Sequence, residues 1–261
     1  MQTVGVLGAT SMVGQSLLPQ LVVAGFQVKA VSRKAQRHED SLSISWLTTA
    51  EFRDYEEVIA DWVCLAPIWV LPDYFPMLTR CRAKRVVALS STSVFTKQNS
   101  SDPAEQEIAT RLIDSERHFV AWAEANQIEW VILRPTLIYG LGRDRNISEI
   151  ARLISRFGFF PLLGSAQGLR QPVHVEDVAS ACAAALHNTQ ANNHAYNLSG
   201  AERLAYREMV GRVFRTMGRP ERFMEIPLWM FRAAIMCLKI LPKFRKWSPA
   251  MAERMSADLV F

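Results

Sequence analysis

The sequence predicts an α/β protein: a doubly wound parallel sheet followed by a smaller C-terminal part. Three observations carry this. Short apolar runs at 62–66, 85–89 and 130–133 alternate with segments of helical period, the order that builds a parallel sheet. The first apolar run, 4–7, breaks at Gly8 into a glycine-marked turn and then into an apolar-periodic segment at 15–24, which reads as strand, tight turn, helix. The run at 85–89 ends in Ser90, Ser91, Thr92 and Ser93, hydroxyls placed at the carboxyl end of a strand, where ligands of open sheets bind.

Taken in order, Gly25 closes the first helix, and 26–31 forms a second strand ending at Ser32, Arg33 and Lys34. A short strand at 44–47, a helix with an acidic face at 50–60 and a buried strand at 62–66 follow. Pro67 and the aromatic-rich 69–76 read as a loop, and 75–81 as a helix. The segment 104–126 has a helical period. The strand at 130–133 stops at Arg134 and Pro135 and resumes at 136–140. Gly140, Gly142 and the charges at 143–145 mark an excursion, with helix at 148–156, an apolar run at 159–163, and a strand-to-helix passage at 171–179. A late strand is expected at 196–198, and a helical tail from Tyr206 divided by Pro220, Pro227, Pro242 and Pro249.

The turn after the first strand has the features of a phosphate cradle. Gly8 and Gly14 keep side chains away while the helix N-terminus offers free N–H groups and its positive dipole end, with Thr10, Ser11, Met12 and Val13 lining the turn. A dinucleotide pyrophosphate on a Rossmann-type sheet is the expected ligand. Ser11 stands where such a turn usually has its middle glycine. At the end of the second strand, an acidic residue would hold the ribose 2′-OH of NAD. Ser32 and Arg33 instead suit a 2′-phosphate, so NADP is preferred over NAD. Leu65, Ala66 and Pro67 are expected to touch the same cofactor.

The 261 residues carry a formal net charge of +5. The basic residues are dispersed until Lys239, Lys243, Arg245 and Lys246, which favours an anionic small molecule over a nucleic acid. Four separated cysteines, Cys64, Cys81, Cys182 and Cys237, suggest neither metal nor a disulfide framework, and a reducing cytoplasm follows. No secretory leader and no run long enough to span a membrane is visible. The stretch 226–247 interleaves large apolar residues with Arg232, Lys239, Lys243, Arg245 and Lys246. It reads either as a packing lid of the C-terminal part or as an amphipathic basic stretch lying on an acidic membrane surface.

Together, the glycine turn at 7–14, the hydroxyl run before Val94 and Phe95, Arg134 and Pro135 leading to Tyr139 and Gly140, the segment 171–179 around His174, Asn197 in the late strand and the final 258–261 resemble the extended and atypical short-chain dehydrogenase/reductases. Within them the resemblance is to the NAD(P)-dependent epimerase/dehydratase group. It implies that Leu89, Ser90, Pro135, Thr136, Leu137 and Ile138 also bind the dinucleotide, and that a Ser or Thr, a Tyr and a Lys four residues later carry the chemistry. Ser91 matches the hydroxyl. Counting back from Glu116 places Ile108 and Leu112 at the Tyr and Lys positions, and none of Tyr55, Tyr74, Tyr139, Tyr196 and Tyr206 is followed four residues later by Lys.

Two functions follow. One is a divergent oxidoreductase or epimerase on a nucleotide-linked sugar or similar anionic substrate, with Ser91, Tyr74 and His174 as the catalytic candidates and no metal. The other is a non-catalytic NADP-binding redox sensor or assembly factor. The expected domains are a dinucleotide-binding part at 1–138 and 173–196 and a substrate part at 139–172 and 197–261, in a monomer or homodimer.

Overall fold

The computed structural model describes residues 2–34, 42–144, 146–231 and 254–261. Arg37, Arg145, Cys237 and the basic cluster Lys239, Lys243, Arg245 and Lys246 lie outside the described residues. The chain forms two compact units.

The first unit comprises Met1–Val94, Thr110–Pro135 and His174–Leu198. Its strands are β1 (Thr3–Leu7), β2 (Gln27–Ser32), β3 (Ile44–Thr48), β4 (Asp61–Cys64), β5 (Arg85–Leu89), β6 (Glu129–Pro135) and, late in the chain, a strand at His194–Leu198. They make one seven-stranded sheet in the order β3-β2-β1-β4-β5-β6 and then the late strand, every pairing parallel. β4 and β5 are buried along their whole length, as strands covered on both faces must be. The strand order reverses between β1 and β4, so the crevice of this sheet opens at their carboxyl ends.

The first helix begins earlier than its apolar period suggests. α1 (Met12–Val23) has Ser11 as N-cap, its hydroxyl accepting the Gly14 N–H at 3.1 Å. The helix expected at 50–60 is only α2 (Thr49–Arg53), opened by a Thr48–Glu51 capping box. It stops because Ile59 is drawn into the core and its N–H bonds the Cys81 carbonyl at 2.9 Å, a partner outside any helix. The aromatic stretch expected as a loop is a 3-10 helix, Ile68–Tyr74, running into α3 (Phe75–Arg80). After β5 come α4 (Ser93–Thr96) and the long α5 (Pro103–Ala125). The core of this unit gathers Leu7, Phe52, Trp62, Leu78, Leu112 and Phe119.

The second unit comprises Phe95–Ala109, Thr136–Val173 and Ser199–Phe261. The strand expected to continue through 136–140 does not: Pro135 lacks an N–H to extend the ladder, and a separate β7 (Ile138–Tyr139) pairs with a two-residue strand at Val173–His174. α6 (Ile147–Phe157) leads through Gly158 at φ +75° into β8 (Phe160–Leu163), followed by β9 (Leu169–Arg170), β10 (Val173–His174) and the helix α7 (Val175–His187), which belongs to the first unit. The strand at His194–Leu198 is β11, and β12 (Leu204–Ala205) precedes α8 (Tyr206–Thr216).

The expected helical tail is interrupted by β13 (Phe223–Ile226), which pairs in parallel with β8 from Phe223 opposite Phe160 to Ile226 opposite Leu163. Gly218 at φ +65° and Pro220 end the helix and free the chain to do so. A second core of Ile150, Ile154, Phe160, Leu162, Val210 and Phe214 fills this unit. The expected strand at 258–261 is a single bridge, Leu259 to Arg170, with the Leu259 N–H on the Leu169 carbonyl at 2.9 Å.

Candidate functional site

The carboxyl ends of the parallel strands collect most of the residues singled out from the sequence. Gly8 follows β1 at φ +76°, a conformation that favours glycine, and a Cβ there would come within 2.6 Å of the Ala66 backbone nitrogen. That close approach brings Leu65, Ala66 and Pro67, at the end of β4, beside the turn, and the Leu65 N–H is held by the Leu7 carbonyl at 2.8 Å. Thr10 is exposed, Ser11 and Met12 are half-buried and Val13 is buried. The first N–H groups of a helix have no acceptor within it, and Ser11 satisfies only that of Gly14. No acidic residue occupies the first turn of α1, so its positive end is left for an anion.

At the end of β2, Ser32 is buried and its hydroxyl donates to the Lys34 carbonyl, while Arg33 is exposed. At the end of β5, Leu89 is buried, and the Ser90 N–H is held by the Leu133 carbonyl at 2.8 Å. The Ser90 hydroxyl is buried and has no hydrogen-bond partner among the described residues. A buried polar group without a partner is costly, which marks Ser90 as a group that a ligand would complete. Ser91 accepts from the Ser93 N–H at 3.1 Å and donates to the Ser93 hydroxyl at 3.0 Å. Thr92 ties this run to β6 through the carbonyl of Pro135, which is buried.

Tyr74 is half-buried and stacks near Phe52, ring centroids 6.2 Å apart. Burial first, then Cys64 and Asp73, hold its phenol above the ordinary value, with the positive charges of Arg33 and Arg53 acting the other way. Burial likewise pushes the Cys64 thiol up to about 12. His174 caps α7: its Nδ1 accepts from the Glu176 N–H at 3.4 Å and lies 3.8 Å from the Glu176 carboxylate. Thr136, Leu137 and Ile138 belong to the second unit, where Thr136 donates its hydroxyl to the Gln171 carbonyl.

Two features were not singled out as site residues. Glu116, buried on α5, takes Arg134 of β6 in a forked pair, Nε to Oε1 at 3.0 Å. Glu116 served only as a counting mark in the sequence, and its spacing to Arg134 gave no contact. Arg111, one turn before Ser115 on α5, lies with its guanidinium 4.9 Å from the Trp69 ring centroid. On the same helix Ile108 is 38% exposed and Leu112 only 3%, inside the core. Neither side chain can carry a proton.

Residues 75–199 match the model of the NAD dependent epimerase/dehydratase family. This stretch, just under half of the chain, is similar to that family. It contains the hydroxyl run, α5, the Glu116–Arg134 pair and β11. A UDP-glucose 4-epimerase of Vibrio cholerae is 24% identical over 136 residues, 52% of this chain and 42% of that protein. The mitochondrial NADH dehydrogenase [ubiquinone] 1 alpha subcomplex subunit 9 of Arabidopsis thaliana is 28% identical over 106 residues, 40% of this chain and 26% of that one. The matches thus span less than half of either relative.

Among solved structures, the UDP-glucuronic acid 4-epimerase of Bacillus cereus in complex with NAD superposes with a TM-score of 0.72 at 14% identity, covering 87% of this chain and 86% of the other. The UDP-glucose 4-epimerase of Thermus thermophilus, in complex with NAD, gives 0.67 at 18%, covering 87% and 86%. The chain therefore shares the fold of these proteins.

A phenol held up by burial stays neutral until the pH exceeds its ordinary value of about 10. The stability contributed by the neutral, buried Tyr74 is accordingly present below pH 10 and lost as the pH rises through the folded value. Absorbance titration at the tyrosinate band is expected to give identical curves for the wild type and Tyr74→Phe below about pH 10. A difference near pH 8 would contradict this environment for Tyr74.

Proposed function

We propose that this protein is a nicotinamide-dinucleotide-binding member of the epimerase/dehydratase group that recognises a nucleotide-linked sugar or a similar anionic molecule and turns it over slowly. The observation that supports the reading is that the Gly8–Ser11 turn follows β1, and Ser90, whose hydroxyl has no partner among the described residues, follows β5, each at the carboxyl end of a strand of one parallel sheet. These residues fit a dinucleotide. The start of α1 would hold the pyrophosphate on the N–H groups of Met12 and Val13, and Leu65, Ala66 and Pro67 would wall one side. Ser90 would donate or accept one hydrogen bond, and Ser91 would hold a substrate carbonyl or hydroxyl. When bound, the dinucleotide supplies a reversible hydride acceptor. In this reading the first unit carries the dinucleotide, and the second, with exposed Arg143 near its entrance turn, carries the anionic substrate.

The solved epimerases hold NAD, but the end of β2 favours NADP in this chain. Arg33 is the residue that would meet a 2′-phosphate, because the Ser32 hydroxyl proton is already given to Lys34. Charge-assisted contacts of this kind contribute roughly 1.5 to 3 kcal/mol. Calorimetric titration is expected to show tighter binding of NADPH than of NADH. Arg33→Ala should weaken NADPH by about one to two powers of ten and leave NADH nearly untouched. Equal losses for both would remove the 2′-phosphate assignment.

Ile108 and Leu112 on α5 favour a second reading, a dinucleotide-binding sensor or assembly factor without turnover. The difference is one of rate. Losing a general acid/base forfeits about 10² to 10⁴, and ordinary enzymes turn over at about 10 per second. UDP-glucose or UDP-glucuronic acid with NADP or NAD is therefore expected to react at about 0.1 per second or slower. Several turnovers per second, unchanged in both Tyr74→Phe and His174→Ala, would overturn this account of the site.

A further inference from the structure

We infer that Arg53 is a second cation, beside Arg33, for the phosphate monoester on the adenosine ribose of NADP, an inference that rests on the dinucleotide reading of the first unit. The parallel register of β2 and β3 runs from Val28 opposite Ile44 to Ser32 opposite Thr48, so the two strands end level and Arg33 and Thr49 leave the sheet side by side. Thr48 is the N-cap of α2, and its capping box with Glu51 fixes where that helix starts. Phe52 fixes how the helix is turned. It is fully buried, with its ring centroid 5.0 Å from that of Trp62 and 6.2 Å from that of Tyr74. Arg53, the next residue, is thereby left exposed, and a helical side chain leans toward the N-terminus of its helix, here the carboxyl end of β3. The Arg80 guanidinium donates to the Arg53 carbonyl and holds this end of α2 in place.

Neither arginine spends its charge elsewhere. Among the described residues the guanidinium groups of Arg33 and Arg53 make no ion pair and no hydrogen bond, and both positive charges act on one phenol, that of Tyr74. The acids around α2 are engaged: Glu51 closes the capping box, and Glu57 is held by Lys29 at 3.7 Å and by the Tyr55 hydroxyl. Asp73 acts on the same phenol, one negative charge against two positive. A phosphate monoester carries a charge of about −1.5 to −2 near pH 7, so a single guanidinium leaves it incompletely neutralised. Ser32 adds no donor, because its hydroxyl proton is given to the Lys34 carbonyl. A second forked guanidinium on the adjoining element supplies both the missing charge and the missing donors. The free 2′-OH of NAD carries no charge and gains little from either arginine.

The test is calorimetric titration of the full chain with NADPH, NADH, adenosine 2′,5′-bisphosphate and adenosine 5′-monophosphate. Arg53→Ala is expected to weaken NADPH and the bisphosphate about tenfold and to leave NADH and the monophosphate unchanged. Because the side chain is exposed, the melting temperature without ligand should not move; Arg53→Gln, which keeps the aliphatic stem without the charge, should behave in the same way. Arg53→Lys should lose less than Arg53→Ala, and Arg33→Ala combined with Arg53→Ala should bring NADPH to the affinity of NADH. An Arg53→Ala protein that binds NADPH as the wild type does, or that loses NADPH and NADH equally, would overturn the inference, while dinucleotide binding by the wild type would leave the reading beneath it standing. A wild type that binds neither dinucleotide would overturn both.

Discussion

A Cβ on Gly14 would lie 2.1 Å from the carbonyl oxygen of Ala9, and one on Gly8 would lie 2.6 Å from the Ala66 nitrogen. The turn between β1 and α1 can exist only with both positions bare, because backbone presses on backbone with no side chain free to yield. Everything that faces the crevice depends on this packing. It sets the start of α1, lets Ser11 close the cap, and brings the end of β4 against the turn. Gly5 repeats the constraint one layer deeper, where a Cβ would enter the Trp62 ring at 2.2 Å. The first strand is thus pinned along its length before any ligand is considered.

The same structure separates holding from reacting. At the carboxyl end of the sheet, α1 has no acidic residue in its first turn, and the buried Ser90 hydroxyl has no partner among the described residues. The scaffold behind it is intact: the forked Glu116–Arg134 pair joins α5 to β6, and breaking such a pair with one charge left buried costs about 3 to 5 kcal/mol. On α5, however, Leu112 has been drawn into the core with Phe119, and Ile108 looks toward solvent. Tyr74 is raised by burial, and the His174 ring is engaged in capping α7. Ile108 and Leu112 carry no proton at all, and the Tyr74 phenol, held up by burial, stays neutral near pH 7.

The sheet was legible because fully buried strands such as 62–66 and 85–89 are continuous apolar runs that no helix period explains. The turn at Gly8 was legible because glycine spacing reports backbone proximity directly. What escaped was set by distant partners. The period at 50–60 suited a helix, but the pull of Ile59 toward Cys81 ended it at Arg53. Residues 223–226 carry no strand signature of their own and become β13 because β8 offers an edge. The Ser32 hydroxyl looked available at the end of β2, yet it folds back on Lys34. The stacking of Arg111 on Trp69 joins residues 42 apart and left no local mark.

Calorimetric titration of NADPH into Ser11→Asp tests the central claim most directly. Aspartate caps a helix as well as serine does, so the fold is retained, while its charge stands where a pyrophosphate would be held in the proposed reading. The account predicts binding by the wild type and a loss of about tenfold or more in the variant, with an unchanged melting temperature in the absence of ligand. Equal affinity in the two proteins would contradict it.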